Sequence, residues 1–179
     1  WTFYYRNGQV EQTGRYRNGR YEGTWKWFYK NGALLRVEEF ERGLANGEMI
    51  EYARDSSEIA RGEFIAGEKE GEWFHHVNDE REEGSYIAGK RNGEWRHYYP
   101  DGQLKFKGDF VQGLPNGKHR YYYENGRVKE EGRYVMGKKV KNWRKYDPEG
   151  NLYLTITYKN GEKYKIDGSK IDKNRDRMP

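Results

Sequence analysis

The chain has 179 residues, with 34 Lys/Arg against 29 Asp/Glu, and no cysteine, which excludes disulfides and thiolate metal sites. Leu, Ile, Val and Phe number only 28, below the ~20% level associated with disorder. Aromatic residues nevertheless make up 17% of the chain, and each ring can bury ~150–250 Å2, so the chain is expected to fold around flat rings rather than a thick aliphatic core. No apolar run approaches the ~18–20 residues that cross a bilayer, and no signal-peptide pattern opens the chain.

A Gly-x-aromatic signature recurs along the whole length. Its aromatic member is Tyr16, Phe40, Phe64, Tyr86, Phe110, Tyr134 and Tyr158, at steps of 24 residues with one step of 22. A glycine follows three residues after each, from Gly19 to Gly161. A second series, nine residues after each aromatic, reads Trp25, Met49, Trp73, Trp95, His119, Trp143 and Asp167, and Trp1 fits as its first member. Fixed self-similarity at this period denotes a repeat array. The chain opens at Trp1, inside a copy and without a Met, so an upstream segment is expected. A removed export leader, pointing to the cell envelope, is one source and a shorter boundary another.

In chain order, Asn7-Gly8, Asn31-Gly32, Pro100-Asp101-Gly102, Asn125-Gly126 and Glu149-Gly150 mark turns in which glycine supplies positive φ. The cleanest copy runs from Trp95 to Gly117. Trp95–Tyr99 suits a strand, Gln103–Phe110 reads as the returning strand, and Gly113 and Gly117 bracket a second connection. No window sustains a 3.6-residue period. The expected fold is therefore all-β: an elongated single-layer antiparallel sheet of tandem β-hairpins, about fourteen strands from about seven copies over 1–168. The glycines at 14, 62, 84, 108 and 132 share the face parity of the tryptophan series. A missing side chain there gives a neighbouring ring room to lie on the backbone; a bulge or bend is the other explanation.

Departures gather in the middle. The third copy has Glu38 for the leading glycine, Met49 for Trp, and the turn Arg54-Asp55-Ser56-Ser57-Glu58. The fourth lacks two residues around Asn78-Asp79-Glu80. The sixth has His119 for Trp, and the seventh Lys141 for Gly. Asp167-Gly168 reads as a polar cap, and Ser169–Pro179 as a charged, flexible tail.

The pattern G-x-[YF]-x-x-G-x-x-x-G-x-W-x-x-Y-Y-x-x-G-x-L, matched by Gly14–Leu34 and by Gly84–Leu104, resembles the MORN repeat family, specifically its bacterial, antitoxin-like variant. The resemblance covers about 1–168. It implies a twisted or curved β-sheet serving protein–protein or membrane contact, and some members neutralise a partner protein. It brings no catalytic residue.

The residues themselves give little sign of chemistry. His75 and His97 occupy equivalent positions two strands apart, near ~9–10 Å, too far for both to ligate zinc; His76 points the other way. Glu80, Glu82 and Glu83 lack the sheltered pocket that separates the pKa values of an acid–base pair. No nucleophile elbow or P-loop spacing occurs. The chain is read as a non-enzyme, with no cofactor and no metal.

Charge points to partners. Residues 1–37 carry seven Lys/Arg against two Asp/Glu, 38–94 seven against sixteen, and 95–179 twenty against eleven. The acidic centre, with Glu38, Glu39, Glu41, Glu51, Asp55, Glu58, Glu80, Glu82 and Glu83, is expected to steer a basic protein. Tyr29, Tyr99 and Tyr123 are candidate anchors or cross-strand packing residues. Stacked aromatics beside basics, as in Trp143-Arg144-Lys145-Tyr146, suit nucleic acid, but the acidic centre repels phosphate. Contact of the basic ends, such as Lys138-Lys139-Lys141, with an anionic membrane surface is an alternative. The leading expectation is a scaffold that binds another protein along one sheet face; the alternatives are an antitoxin or immunity protein with one toxic partner, and an accessory subunit of an envelope assembly.

Overall fold

The computed structural model describes residues 1–77, 80–167 and 169–170. All its regular elements are strands, in two compact units, Trp1–Lys90 and Arg91–Pro179. The first unit carries β1 (Thr2–Tyr4), β2 (Val10–Arg17), β3 (Arg20–Phe28), β4 (Leu34–Glu41), β5 (Leu44–Tyr52), β6 (Glu58–Ile65), β7 (Glu68–Val77) and β8 (Glu80–Ile87). The second carries β9 (Lys90–Tyr98), β10 (Leu104–Val111), β11 (Leu114–Tyr122), β12 (Val128–Val135), β13 (Lys138–Tyr146), β14 (Leu152–Lys159), β15 (Glu162–Ile166) and β16 (Ser169–Lys170). Within each unit every strand pairs antiparallel with its chain neighbours, giving an open sheet in chain order. The fourteen strands expected from seven copies are β2–β15. The half-copy at Trp1 adds β1, and Ser169–Lys170, the start of the expected tail, adds β16. Residues 171–179 of that tail, Gly168, and the shortened connection at Asn78-Asp79 lie outside the described residues.

Two turn chemistries alternate. The tight connections Asn18-Gly19, Arg42-Gly43, Ala66-Gly67, Ala88-Gly89, Gln112-Gly113, Met136-Gly137 and Asn160-Gly161 hold both residues at positive φ, 43–53° then 70–89°. This is the two-residue turn whose twist matches the flanking strands. The turn glycine also reaches back one repeat: Gly43 N–H donates to Tyr21 O at 2.9 Å, and Gly137 N–H to Pro115 O at 2.8 Å. The longer turns are closed by an Asx side chain, as where Asn7 Oδ1 accepts from Gln9 N at 3.1 Å. The divergent Asp55 turn keeps this closure, with Asp55 Oδ1 accepting from Ser57 N at 3.0 Å and Ser56 taking the left-handed position at φ 69°.

The core lies on one face, here the ring face. Trp25, Trp73, Trp95, Trp143 and His119 are buried. Each ring whose seat is described lies flat on the glycine of the preceding strand. A Cβ added at Gly14 would meet Trp25 at 2.2 Å, at Gly62 it would meet Trp73 at 2.0 Å, and at Gly132 it would meet Trp143 at 2.1 Å. The glycines therefore do make room for rings, and a second layer is not needed to dry them. The indole N–H is satisfied as well, Trp25 Nε1 donating to Arg15 O and Trp73 Nε1 to Glu63 O, each at 3.1 Å. His119 copies this with Nε2 2.8 Å from Asp109 O over Gly108. Flanking aromatics close edge-on, Tyr16 on Trp25 and Tyr134 on Trp143, both at 5.0 Å between ring centroids. A cation caps several rings, with Lys69 4.1 Å from the Trp73 ring centroid and Lys139 3.8 Å from that of Trp143.

Glycine and ring are eleven residues apart, and they depart together. Where Glu38 replaces glycine, the residue eleven on is the flexible Met49; where Ile156 replaces it, the residue eleven on is Asp167. No flat ring has to lie on either strand. Asp167 instead continues the pairing of β15 with β14, its Oδ1 accepting from Thr155 N at 2.8 Å.

Candidate interaction surface

Alternation along the strands places the acidic residues of 38–94 on both faces of the first unit and in its turns. Glu38, Glu51 and Glu82 lie on the ring face. Glu38 is 5% exposed and paired with Arg36 at 2.7 Å. Burial pushes its carboxyl above the ordinary value; the Arg36 guanidinium offsets this only in part, and Glu51 adds to the rise. Glu82 is buried and paired with His75 Nε2. Asp55 serves its own turn, and the hydrogen bonds of Ser57 hold its carboxyl below the usual carboxylate value. Glu58 is bound by Arg61 at 2.6 Å, which lowers its carboxyl too. Glu80 opens β8 opposite Val77. Glu41, at the end of β4, accepts from Asn46 Nδ2 at 3.3 Å.

Glu39 and Glu83 lie on the opposite, reverse face, where sequence reading did not single out their companions. One cross-strand row there runs Lys26, Val37, Ile50, Arg61, Phe74, Glu83. Beside it Thr24 faces Glu39, Glu48 faces Glu63, and Glu72 faces Ser85. Exposed Glu39, Glu48, Glu63 and Glu72 thus flank the half-buried Val37, Ile50 and Phe74. The recoverable signal was positional: Glu48 and Glu72 directly precede the core residues Met49 and Trp73, and Glu39 and Glu63 directly follow the seat positions 38 and 62. Direct opposition of like charges, as at Glu48 and Glu63, disfavours the bare sheet; Arg61, 2.9 Å from Glu48, offsets part of it.

The candidate tyrosines form a separate system. Tyr29 OH donates to Tyr52 O at 2.8 Å, Tyr99 OH to Tyr122 O at 2.7 Å, and Tyr123 OH to Tyr146 O at 2.8 Å. Tyr5 does the same to Phe28 O at 2.7 Å. Each hydroxyl bonds the chain 23 residues on, fastening one repeat to the next. Cations stand by their rings, Arg54 at Tyr29, Lys105 at Tyr99 and Lys129 at Tyr123. Ala53, Val77 and Asp147 occupy this position in the other copies.

The reverse face of the second unit carries the row Arg96, Lys107, Arg120, Glu131, Arg144, Thr155. Beside it Glu94 faces Asp109, Lys118 faces Arg133, and Asn142 faces Thr157. Half-burial raises the Glu131 carboxyl, but Lys118 at 2.9 Å and Arg120 at 3.1 Å outweigh it and hold the group below its usual value. Of the basic end group, Lys139 is taken up on the ring face, over Trp143 and beside Glu130 at 3.4 Å. Among the described residues no group of three or more His, Asp and Glu is placed to hold a metal ion. Among these residues no helix is long and apolar enough to cross a membrane.

No curated protein matches the chain. The family model described as MORN repeat variant matches five segments, residues 1–18, 21–41, 91–112, 115–136 and 139–160, more than half of the chain. MORN repeats serve in general as scaffolds for protein or membrane contact. The divergent stretch between the matched segments keeps the tight turns at Arg42-Gly43, Ala66-Gly67 and Ala88-Gly89 and the ring seat at Gly62. With its glycine-seated rings and its tandem hairpins, the chain belongs to the MORN repeat variant family.

Proposed function

We propose that this chain is a non-catalytic repeat scaffold that docks a basic protein on the reverse face of its first unit. The observation that carries this reading is the exposed pair Glu48 and Glu63, in direct register and flanked by Glu39 and Glu72, beside the half-buried Val37, Ile50 and Phe74. Val37 and Ile50, with Phe74 beyond Arg61, make an apolar strip rimmed by carboxylates that suits a partner whose Lys and Arg stems cover the strip while their heads meet the rim. A non-catalytic role is supported by open sheet faces, on which titratable groups lack the dry, shaped pocket that general acid–base work requires. Within this reading, an antitoxin or immunity role is the same surface committed to one toxic partner, and an envelope role is the same surface built into a larger assembly.

The test is capture of partners by the wild-type chain against Glu48→Lys/Glu63→Lys, followed across salt concentration. Recovery that collapses with the double reversal, and that fades with salt in the wild type, supports the placement. Recovery equal in both chains removes it.

A further inference from the structure

The reverse face of the second unit repeats the geometry of the first with opposite sign. Lys118 and Arg133 hold the same repeat positions as Glu48 and Glu63: one precedes the core residue (His119, as Met49), the other follows the seat glycine (Gly132, as Gly62). Both pairs stand in direct register across antiparallel strands, so both present two like charges with Cβ atoms ~5 Å apart. Around the basic pair lies a depression of about 300 Å3, lined with Lys141 and Arg144 as well as Glu131. Glu131 is shared among Lys118, Arg120 and, at 4.0 Å, Arg144, so cations exceed carboxylates there. Glu94 and Asp109 share this face one repeat away, where Arg96 and Lys107 at 2.8 Å already bind Glu94.

Lys141 adds a second, independent observation. The equivalent position is glycine at 23, 47, 71, 93 and 117, all at positive φ; Lys141 is held at φ 58° in the same left-handed region. A β-substituted residue there costs energy, and the residue kept in spite of that cost adds a further cation to the basic pair.

We propose that the reverse face of the first unit of one copy docks on the reverse face of the second unit of another copy. The proposal rests on the docking surface of the preceding subsection and names its basic partner as this same chain. Laid face to face, about 10 Å apart as stacked sheets are, Glu48 and Glu63 meet Lys118 and Arg133 two on two. Each like-charge pair is relieved by the other. The stems of Arg120 and Arg144 meet Val37 and Ile50, which have no apolar counterpart in the basic row; Arg61, next along the first unit's row, is already held by Glu48 and Glu58.

Sedimentation velocity on the full chain tests this, at about 20 mM and about 300 mM salt, conditions that bracket a ~10 Å screening length. The wild type is expected to exceed monomer mass at low salt and to weaken about tenfold or more at high salt. Glu48→Lys/Glu63→Lys and Lys118→Glu/Arg133→Glu change exposed positions, and each alone is expected to be monomeric. An equimolar mixture of the two restores association, because the first keeps the cationic pair of its second unit and the other keeps the anionic pair of its first. If either reversal disturbs the fold, the neutral pairs Glu48→Gln/Glu63→Gln and Lys118→Gln/Arg133→Gln replace it, and each is expected to weaken association.

A wild type that stays monomeric at low salt, or a mixture that stays monomeric, overturns the proposal. Binding of an oligolysine peptide separates the two readings. If the peptide still binds the wild type and not Glu48→Lys/Glu63→Lys while self-association is absent, the docking surface stands and its occupant is not this chain. If it binds both equally, the docking surface falls as well. Binding to phosphatidylserine vesicles that Lys118→Glu/Arg133→Glu abolishes, in a chain that does not self-associate, assigns the basic pair to a membrane and likewise overturns the proposal.

Discussion

The two units use one repeat grammar with different content. The second unit keeps its ring relay unbroken from Phe110 through His119, Tyr134 and Trp143 to Tyr158, at centroid distances of 5.3, 4.7, 5.0 and 6.3 Å. In the first unit the relay runs from Trp1 to Phe40 and resumes at Phe64; between them Met49 packs with Ala60 against Trp73. The reverse faces differ more, acidic and partly apolar in one, basic in the other. Core positions are thus constrained in pairs by geometry, whereas reverse-face positions meet through side-chain ion pairs such as Arg61–Glu48 and Lys118–Glu131 and differ in sign between the units.

The sharpest break of this comparison moves the first unit's exception into the second. Gly132→Glu thrusts a side chain into the Trp143 ring and is expected to cost about 3 kcal/mol or more, since overpacking a filled site costs ~1–3 and occasionally more. Gly132→Glu/Trp143→Met recreates the Glu38/Met49 pairing, and its cost should fall below the sum of the single changes by about 1 kcal/mol or more. Hydrogen exchange of β12 and β13 amides reads these local stabilities, and strict additivity would refute the coupling of seat and ring. A smaller effect is expected from Tyr29→Phe and Tyr99→Phe, one in each unit. Each loses one hydrogen bond to the next repeat, about 1 kcal/mol, seen as faster exchange of the strand that supplies the carbonyl.

Acid should move the units in opposite senses at two positions. Burial lowers the pKa of His119, while its contact with Asp109 O opposes that fall. The folded state disfavours its protonated form, so stability is held above the ordinary value near 6.5 and is lost as pH falls below it. Burial raises the pKa of Glu38, so its contribution is present below the ordinary carboxylate range and is lost as pH rises through the raised value. Melting temperatures from pH 7.5 to 4 should show His119→Phe removing a loss below about pH 6.5. Over the same scan, Glu38→Gln should gain on the wild type as pH rises; a gap that does not change with pH refutes this. The smallest effect is expected at Lys141→Gly, which relieves the left-handed backbone but adds freedom to the unfolded chain and should stabilise β13 by about 0.5 kcal/mol, while weakening low-salt self-association.

Much of this was legible because glycine and aromatic spacing encode local geometry. The hairpins, both turn families and the ring seat at Gly14, Gly62 and Gly132 follow from period, parity and the absence of a Cβ. The paired departures at Glu38/Met49 and Ile156/Asp167 were also in the sequence, eleven residues apart, but only the flat ring on the backbone explains why they travel together. The tyrosine clasps were not legible. Their acceptors are main-chain carbonyls, which any residue supplies, so Tyr29 reads equally as an anchor or as packing. The same holds for Asn46 and Asn116, whose Oδ1 atoms accept from Ala66 N and Met136 N at 3.0 and 3.2 Å, twenty residues on. The acidic centre was visible as charge, but its division over two faces and a turn needed register, which bulges at Gly23 and Gly47 shift within a strand.

The reach of the interstrand clasps has a mechanical corollary. Turn glycines, Asx acceptors and tyrosine hydroxyls all bond to chain no more than 23 residues away. Tension applied to the termini should therefore peel hairpins away one by one from the ends, each release lengthening the chain by a similar step, instead of rupturing either sheet in a single event. After release, each hairpin needs only the strand beside it as a template for rezipping.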